Sequence, residues 1–260
     1  MGGAPGDMSD PAPKSVIRPT DDASLMLARR LVREARYAAL SVLEPDTGHP
    51  FASRVLVGTD IDGVPVMIAS MLATHMKALL ADPRCALLVG EPGKGDPLAW
   101  PRITLRCEAE IIKPDTESDV RIRSRFLRRH PKAKLYASFQ DFAFFRLVPK
   151  SASLNGGFGR AYIFSSADLI IVSQLNDYIG AHELHIIESV VKSGCNLVDH
   201  FTQRYFREKT GNWYISGVDA EGFDIARKEK VHRVNLPEPV LEANGLIVAY
   251  SNVLKYNSQN

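Results

Sequence analysis

The sequence predicts an α+β protein: a small antiparallel β-barrel with flanking helices, joined to a smaller C-terminal α/β domain. Two observations carry this. Up to Leu154 the chain offers six or more short strand-like segments, joined by connections too short for parallel crossovers. Closing such a set into a barrel removes its exposed edges. From about Ser165 the pattern changes to long helical periods with short strand-like runs between them. The organisation expected is a disordered tail over 1–20, a barrel domain over 21–162 and a small α/β domain over 165–260.

Taken in order, Ala23–Arg36 has the apolar stripe of a helix (Leu27, Ala28, Leu31, Val32), and Asp22 is placed to cap it. Ala38–Leu43, Phe51–Thr59 and Val64–Ser70 read as a meander of strands. The Asp62-Gly63 step between the last two favours a tight hairpin turn. Thr74–Leu80 is a short helix, with Ser70 or Thr74 as its cap, ended by Asp82-Pro83. Strands follow at Arg84–Val89 and Arg102–Ile112, a helix at Glu117–Arg129, and a strand at Phe142–Val148 that Ser151–Leu154 extends. Beyond it, Ala167–Ser193 reads as helix broken at Gly180, and Asn196–Lys209 as another helix. Strands are expected near Trp213–Val218, Phe223–Ala226 and Val231–Leu236, then a last helix over Pro239–Leu254.

The 260 residues are 45% hydrophobic and 24% charged, the composition of a chain with a true core, which excludes wholesale disorder. A net charge of +2 is too mild for a nucleic-acid-binding domain. Apolar runs such as Leu246–Ala249 are far too short to span a bilayer, so no membrane partner is expected. The Gly/Pro-rich start lacks the apolar core of a signal peptide, which makes the cytoplasm the expected location. Cys85, Cys107 and Cys195 lie far apart in sequence and read as free, mostly buried thiols.

The residues with most chemistry are Arg54, a cation within an otherwise apolar strand, and Thr74, His75 and Lys77 at the start of the short helix. A helix N-terminus presents free N–H groups and the positive end of its dipole, and arginine binds phosphate in a bidentate way. If the strands carrying Arg54 and Ser70 pair as a hairpin, both features converge on one anion. A solvent-facing arginine beside a basic helix end explains the same residues without a ligand.

Here the sequence resembles the pyridoxamine 5'-phosphate oxidase-like FMN-binding split-barrel superfamily, and within it the haem-utilisation branch. The resemblance rests on Ala38–Val55, Ser70–Leu79, Asp82–Val89, Glu91–Leu98, Pro101–Leu105, Asp141–Leu147 and Gly156–Ala161, in that order. It implies an FMN phosphate held by Arg54, Thr74, His75 and Lys77, with Val55, Ala69 and Ser70 bordering the flavin. It also implies that Arg102 and Thr104 approach the flavin and that the site lies at a homodimer interface. The implied activity is that of an FMN-dependent oxidoreductase of haem utilisation acting on a small molecule, with haem as substrate or ligand. Pyridoxamine-phosphate oxidase-like or flavin reductase chemistry, and a non-enzymatic flavin- or ligand-binding dimer, are the alternatives. Ser216–Asp224 and Arg233–Pro239 resemble the small C-terminal domain of the same branch. Two departures stand out: Leu175–Ile179 lacks the histidine of the branch's Asn-x-Asp-His motif, and no histidine follows His232. The second argues against haem ligation by a C-terminal histidine.

Three further constellations have plain structural readings. Asn155–Arg160 is a glycine cluster that can seat a ligand or simply turn the chain. The basic run Arg121–Lys134 reads as a solvated helix face, with binding to RNA or to an acidic substrate such as haem propionates as the alternative. His182 and His185 share a helix face with Glu183 nearby, but not in the HExxH spacing, so no metal site is assigned. No catalytic acid or base is assigned.

Overall fold

The computed structural model describes residues 17–157, 159–194 and 196–259. The expected tail lies over 1–16 outside the described residues, but from Ile17 the chain runs beside a strand rather than fraying. Ile17 bridges Ala161, and Arg18 N–H donates to the Ala161 carbonyl at 2.8 Å. The first helix, α1 (Asp22–Glu34), is capped by Asp21 rather than Asp22. Asp21 has the extended backbone a cap needs; its carboxylate accepts from Ser24 N–H at 2.7 Å.

Six strands form the barrel: β1 (Tyr37–Leu43), β2 (Pro50–Thr59), β3 (Pro65–Ser70), β4 (Arg84–Val89), β5 (Arg102–Ile111) and β6 (Phe142–Asn155). Their order is β3-β2-β1-β4-β5-β6, all antiparallel, and a β3–β6 pairing closes the ring. The Asp62-Gly63 hairpin forms as the sequence predicts: Gly63 has φ +87° and donates to the Asp60 carbonyl. A further strand, β7 (Ala161–Ser165), was not expected. It exists because β6 is one unbroken strand of 14 residues. The first half of β6 pairs with β3 and its second half with β7, so the sheet parts along it. Inward alternation places Leu40, Val57, Met67, Leu87, Leu105 and Phe145 in the barrel core.

Helix α2 (Thr74–Ala81) links β3 to β4. Helix α3 (Glu117–Arg129), capped by Thr116 and with acids in its first turn, lies outside the barrel. There Ile122 and Phe126 pack with Val66, Ile68 and Phe144.

The C-terminal unit comprises α4 (Ser166–Leu169), α5 (Asn176–Lys192), α6 (Leu197–Phe206), an antiparallel sheet of β8 (Tyr214–Asp219), β9 (Gly222–Arg227) and β10 (Lys230–Asn235), and α7 (Leu246–Gln259). Its helices share a core around Phe201, Phe223 and Tyr250. The helical break falls after Leu169, not at Gly180, through which α5 runs continuously. Ile171 N–H there donates to the Asp62 carbonyl, tying the interruption to the barrel's hairpin. The last helix starts at Leu246 rather than Pro239: the chain bends at Pro237-Glu238 and makes a 3-10 turn over Ala243–Gly245 before it.

The largest correction concerns the basic run. Arg125 and Arg129 are only 4% and 5% exposed, because the C-terminal sheet packs over this face of α3. Glu183 pairs with both Arg125 and Arg128, Asp224 lies 3.6 Å from Arg129, and the Thr59 and Val218 carbonyls accept from Arg125. A buried arginine needs this many partners, and the acids supplying them sit 50 or more residues downstream.

Candidate functional site

Strand β3 delivers Ala69, buried, and Ser70 to the end of the barrel, and the chain turns at once into α2. The Ser70 hydroxyl donates to Asp141 at 3.1 Å and accepts from Leu72 N–H at 3.2 Å, so it orders the turn. It does not cap the helix, and neither does Thr74: the cap is Ala73, with no side-chain hydrogen bond. The N–H groups of Thr74 and His75 therefore receive no side-chain cap, Met76 N–H donates to the Ala73 carbonyl at 3.0 Å, and the Thr74 and Lys77 side chains are exposed.

His75 lies 3.1 Å from the Ser53 hydroxyl of β2, and this contact joins the helix start to the strand carrying Arg54 and Val55. Burial lowers the His75 pKa, so it offers a neutral imidazole near pH 7. Val55 is buried in the barrel. Arg54 projects from the opposite, outer face of β2, with its guanidinium 5.2 Å from the centre of the Tyr37 ring. Among the described residues no hydrogen bond joins Arg54 to Thr74, His75 or Lys77. The helix start with Lys77 and the exposed Arg54 of β2 are each chemically suited to an anion, and the Ser53–His75 contact is what links their two elements.

Arg102 and Thr104 stand elsewhere. Arg102 donates to the Leu98 and Trp100 carbonyls, which ties down the loop before β5. The ladder register runs Arg54, Ala39, Leu88, Thr104, Ser153, Ile163 across six strands. At about 4.8 Å per strand, Thr104 sits roughly 14 Å from Arg54 on the same outer face. Around this row stand other small residues, Ser41, Ala52 and Ala86, while Leu88 and Ile163 are 42% and 51% exposed. The result is an outer face of mostly small residues, with Leu88 near the middle of the row, Ile163 at its β7 end and the exposed Arg106 beside Ala86. Sequence reading passed over Ser53 and Tyr37. Their period-two spacing from Val55 and Ala39 was the available signal.

The remaining constellations are structural. Gly157 has φ +80°, and a Cβ there would lie 2.3 Å from the Ala99 carbonyl oxygen. The glycine cluster thus admits another loop's backbone. His182 stacks on Tyr178 with ring centres 4.4 Å apart, and Glu183 turns inward to its arginines. His232 is stacked on Phe206 and lies against Trp213 and Glu208. No group of three or more His, Cys, Asp or Glu side chains is placed to hold a metal ion among the described residues. No helix among them is long and apolar enough to cross a membrane.

A closed antiparallel barrel whose sheet parts along one long strand defines a split-barrel protein. The family model described as CREG, beta-barrel matches residues 19–169, and the chain belongs to that family. Over 119 residues it is 38% identical to a chloroplastic protein of Arabidopsis thaliana named non-canonical heme oxygenase HOZ, across 45% of this chain. The match spans only 35% of that relative's length. A solved structure of a protein of unknown function from Agrobacterium tumefaciens superposes with a TM-score of 0.75 at 27% identity, covering 93% of this chain and 98% of that one. The structure of a heme binding protein from Mycobacterium smegmatis shares the fold, with a TM-score of 0.53 at 24% identity over 94% of this chain and all of that one.

Proposed function

We propose that this chain is a haem-handling split-barrel protein of the haem-utilisation kind, acting as a homodimer in the cytoplasm on a small-molecule substrate. The observation that carries the reading is its 38% identity over 119 residues to a protein named as a heme oxygenase. In this reading Arg54 and Lys77 receive the propionates of haem, which are carboxylates and suit the same cations as a phosphate. His232 serves as packing against Phe206 rather than as an iron ligand.

The dimer is supported by the outer face of the barrel. A row of small side chains, with Leu88 uncovered near its middle and Ile163 at its β7 end, is the surface a second copy would bury. Arg54 at one end and Thr104 three strands away would then both border the contact, so each site would draw on both copies.

FMN is the second reading, and the uncapped start of α2 favours it. The residues fit a phosphate: two free N–H groups at a helix N-terminus, the Thr74 hydroxyl, Arg54 and Lys77. Val55, Ala69 and Ser70 would border the ring, His75 would hold Ser53, and Arg102 and Thr104 would serve the partner's side. When bound, the flavin supplies hydride or electron transfer, as in an oxidoreductase of the flavin reductase or pyridoxamine-phosphate oxidase type.

Haemin titration followed by Soret absorbance and FMN titration followed by fluorescence quenching test both readings, with Arg54→Ala and Lys77→Ala alongside. Saturable haem binding weakened by both substitutions supports the first. FMN binding alone moves the protein to the second. Binding of neither by the parent removes the site assignment and leaves a ligand-binding dimer without these cofactors.

A further inference from the structure

Cys85 of β4 and Cys107 of β5, 22 residues apart in sequence, are direct partners in the antiparallel ladder. Two residues along, Ala109 N–H donates to the Pro83 carbonyl at 2.8 Å. Hydrogen-bonded and open pairs alternate along such a ladder, so Cys85 and Cys107 form a hydrogen-bonded pair with Cα atoms about 5.5 Å apart. That lies within the roughly 4.4–6.8 Å Cα range of disulfides, while the Cβ atoms, about 5.5 Å apart in such a pair, must draw in to the roughly 3.5–4.5 Å that the bond spans. Directly opposed residues project from the same side of the sheet, and both thiols are free.

The pair is also reachable. Cys107 is buried, but Cys85 is part-exposed, and both line a cleft of about 410 Å³ that opens to solvent. Arg84, Arg106 and Lys150 line it too, with Glu108 the one carboxylate among the lining residues. Glu108 engages Lys150 at 2.8 Å and Asp82 engages Arg84 at 2.6 Å, so Arg106 is the lining cation without a carboxylate partner among the described residues, and it gives the mouth an excess of positive charge toward an anionic reagent.

We propose that Cys85 and Cys107 are a dithiol modification site, oxidised to a cross-strand disulfide by a small anionic disulfide such as oxidised glutathione. The Cys85 thiolate attacks one sulfur of the reagent, forming a mixed disulfide and expelling one glutathione thiolate. The Cys107 thiolate then attacks the Cys85 sulfur and expels the second. The two protein thiols are oxidised, one reagent disulfide is reduced to two thiols, and the two protein protons pass to the released thiolates. The new bond bridges β4 to β5 beside the bulge between Arg106 and Cys107, fixing the strand segment from which Arg106 faces outward. Burial pushes the Cys85 thiol up to about 12, so the reaction speeds up about tenfold per pH unit across the neutral range. This inference is independent of the haem and flavin readings.

The full chain carrying Cys195→Ser, which leaves only this pair, is treated with oxidised glutathione near pH 8.5 and analysed by intact and peptide mass spectrometry. The expected product lacks two hydrogens, carries no glutathione and joins the Cys85 and Cys107 peptides until dithiothreitol is added. Adding Cys107→Ser should trap one glutathione on Cys85, and Cys85→Ser should leave Cys107 unmodified. Thermal melts confirm that each variant is folded. A mixed disulfide persisting on Cys85 while Cys107 is present overturns the proposal. So do two free thiols after a treatment that fully modifies the Cys107→Ser chain, or a Cys107→Ser chain that does not react at all.

Discussion

Arg33 of α1 meets Asp219 of β8 at 3.1 Å, with the two side chains 3% and 0% exposed. The contact adds a charged tie between α1 and the C-terminal sheet to the apolar one made by Ile61 of the barrel's hairpin, which packs in the C-terminal core. Asp219 also accepts from both terminal nitrogens of Arg233, at 2.6 and 2.8 Å. Burial alone would raise the Asp219 carboxyl, but Arg233 and Arg33 outweigh that and hold it well below the usual carboxylate range. One carboxylate thus neutralises two buried arginines from different parts of the chain.

Asp219→Ala should therefore cost more than an ordinary surface ion pair. It leaves Arg33 and Arg233 buried without their main counter-charge, and breaking a buried pair from one side costs about 3–5 kcal/mol. Chemical denaturation measures this. A cost below about 1 kcal/mol, the range of exposed pairs, would show that water reaches the junction.

This junction is also where the sequence was least legible. The amphipathic period of α3 gave both of its ends, yet the same pattern placed Arg125 and Arg129 in water. Periodicity reports which face is apolar; it says nothing of what covers a charged face. The covering acids, Glu183 and Asp224, lie in segments read for their own apolar content. The barrel was legible because strand alternation and turn residues are local. Strand β7 was missed because five residues after a glycine cluster carry too little period to register. Ladder partners such as Cys85 and Cys107 require the register, which no local pattern supplies. At the site, Arg54 and the α2 start could be singled out individually, while the Ser53–His75 contact linking their elements could not.

Stability should fall on mild acidification because of His130. Burial lowers its pKa to about 4, despite its hydrogen bond to the Val57 carbonyl. In the unfolded chain its pKa is about 6.5. The stabilisation is full above pH 6.5 and is lost as pH falls toward 4, because over that window only the unfolded chain binds the proton. The loss amounts to about 3 kcal/mol. His75 and His232, also lowered by burial, act with the same sign, and Glu34, raised by burial, opposes them. Comparison with His130→Gln isolates the term: the variant's unfolding free energy should vary less steeply between pH 6.5 and 4. Equal slopes would show that His130 is protonated in the folded protein.

Leu88→Arg should separate the proposed dimer without unfolding the barrel. Leu88 sits between Ala39 and Thr104 in the outer row and is already 42% exposed, so a single copy tolerates the change. Two arginines brought together across the contact between copies repel and lose their hydration. Light scattering after gel filtration should give a dimer for the parent and a monomer for the variant, with little change in melting temperature at low concentration. A parent that is already monomeric removes the dimer from the proposal.

Gly180→Ala sets two effects of opposite sign against each other inside α5. Replacing a mid-helix glycine by alanine favours a helix by about 1 kcal/mol. However, a Cβ at Gly180 would lie 2.8 Å from the Arg121 Cδ, closer than carbon atoms approach. Arg121 must then move, and it is not free to do so: it donates to both Asp60 oxygens, at 3.0 and 2.9 Å. Hydrogen bonds to a charged group are worth about 1.5–3 kcal/mol each, so the steric effect wins and Gly180→Ala should be destabilising. Asp60 keeps its contact with Arg146, which limits the net loss to about 1–2 kcal/mol. In an Arg121→Ala background the clash is gone and only helix propensity remains, so the same substitution should become stabilising by about 1 kcal/mol. The sign change between the two backgrounds, read as a double-mutant cycle by urea denaturation, is the decisive quantity. A Gly180→Ala effect of the same sign and size in both would mean that α5 tolerates a side chain there and that Arg121 does not require the glycine.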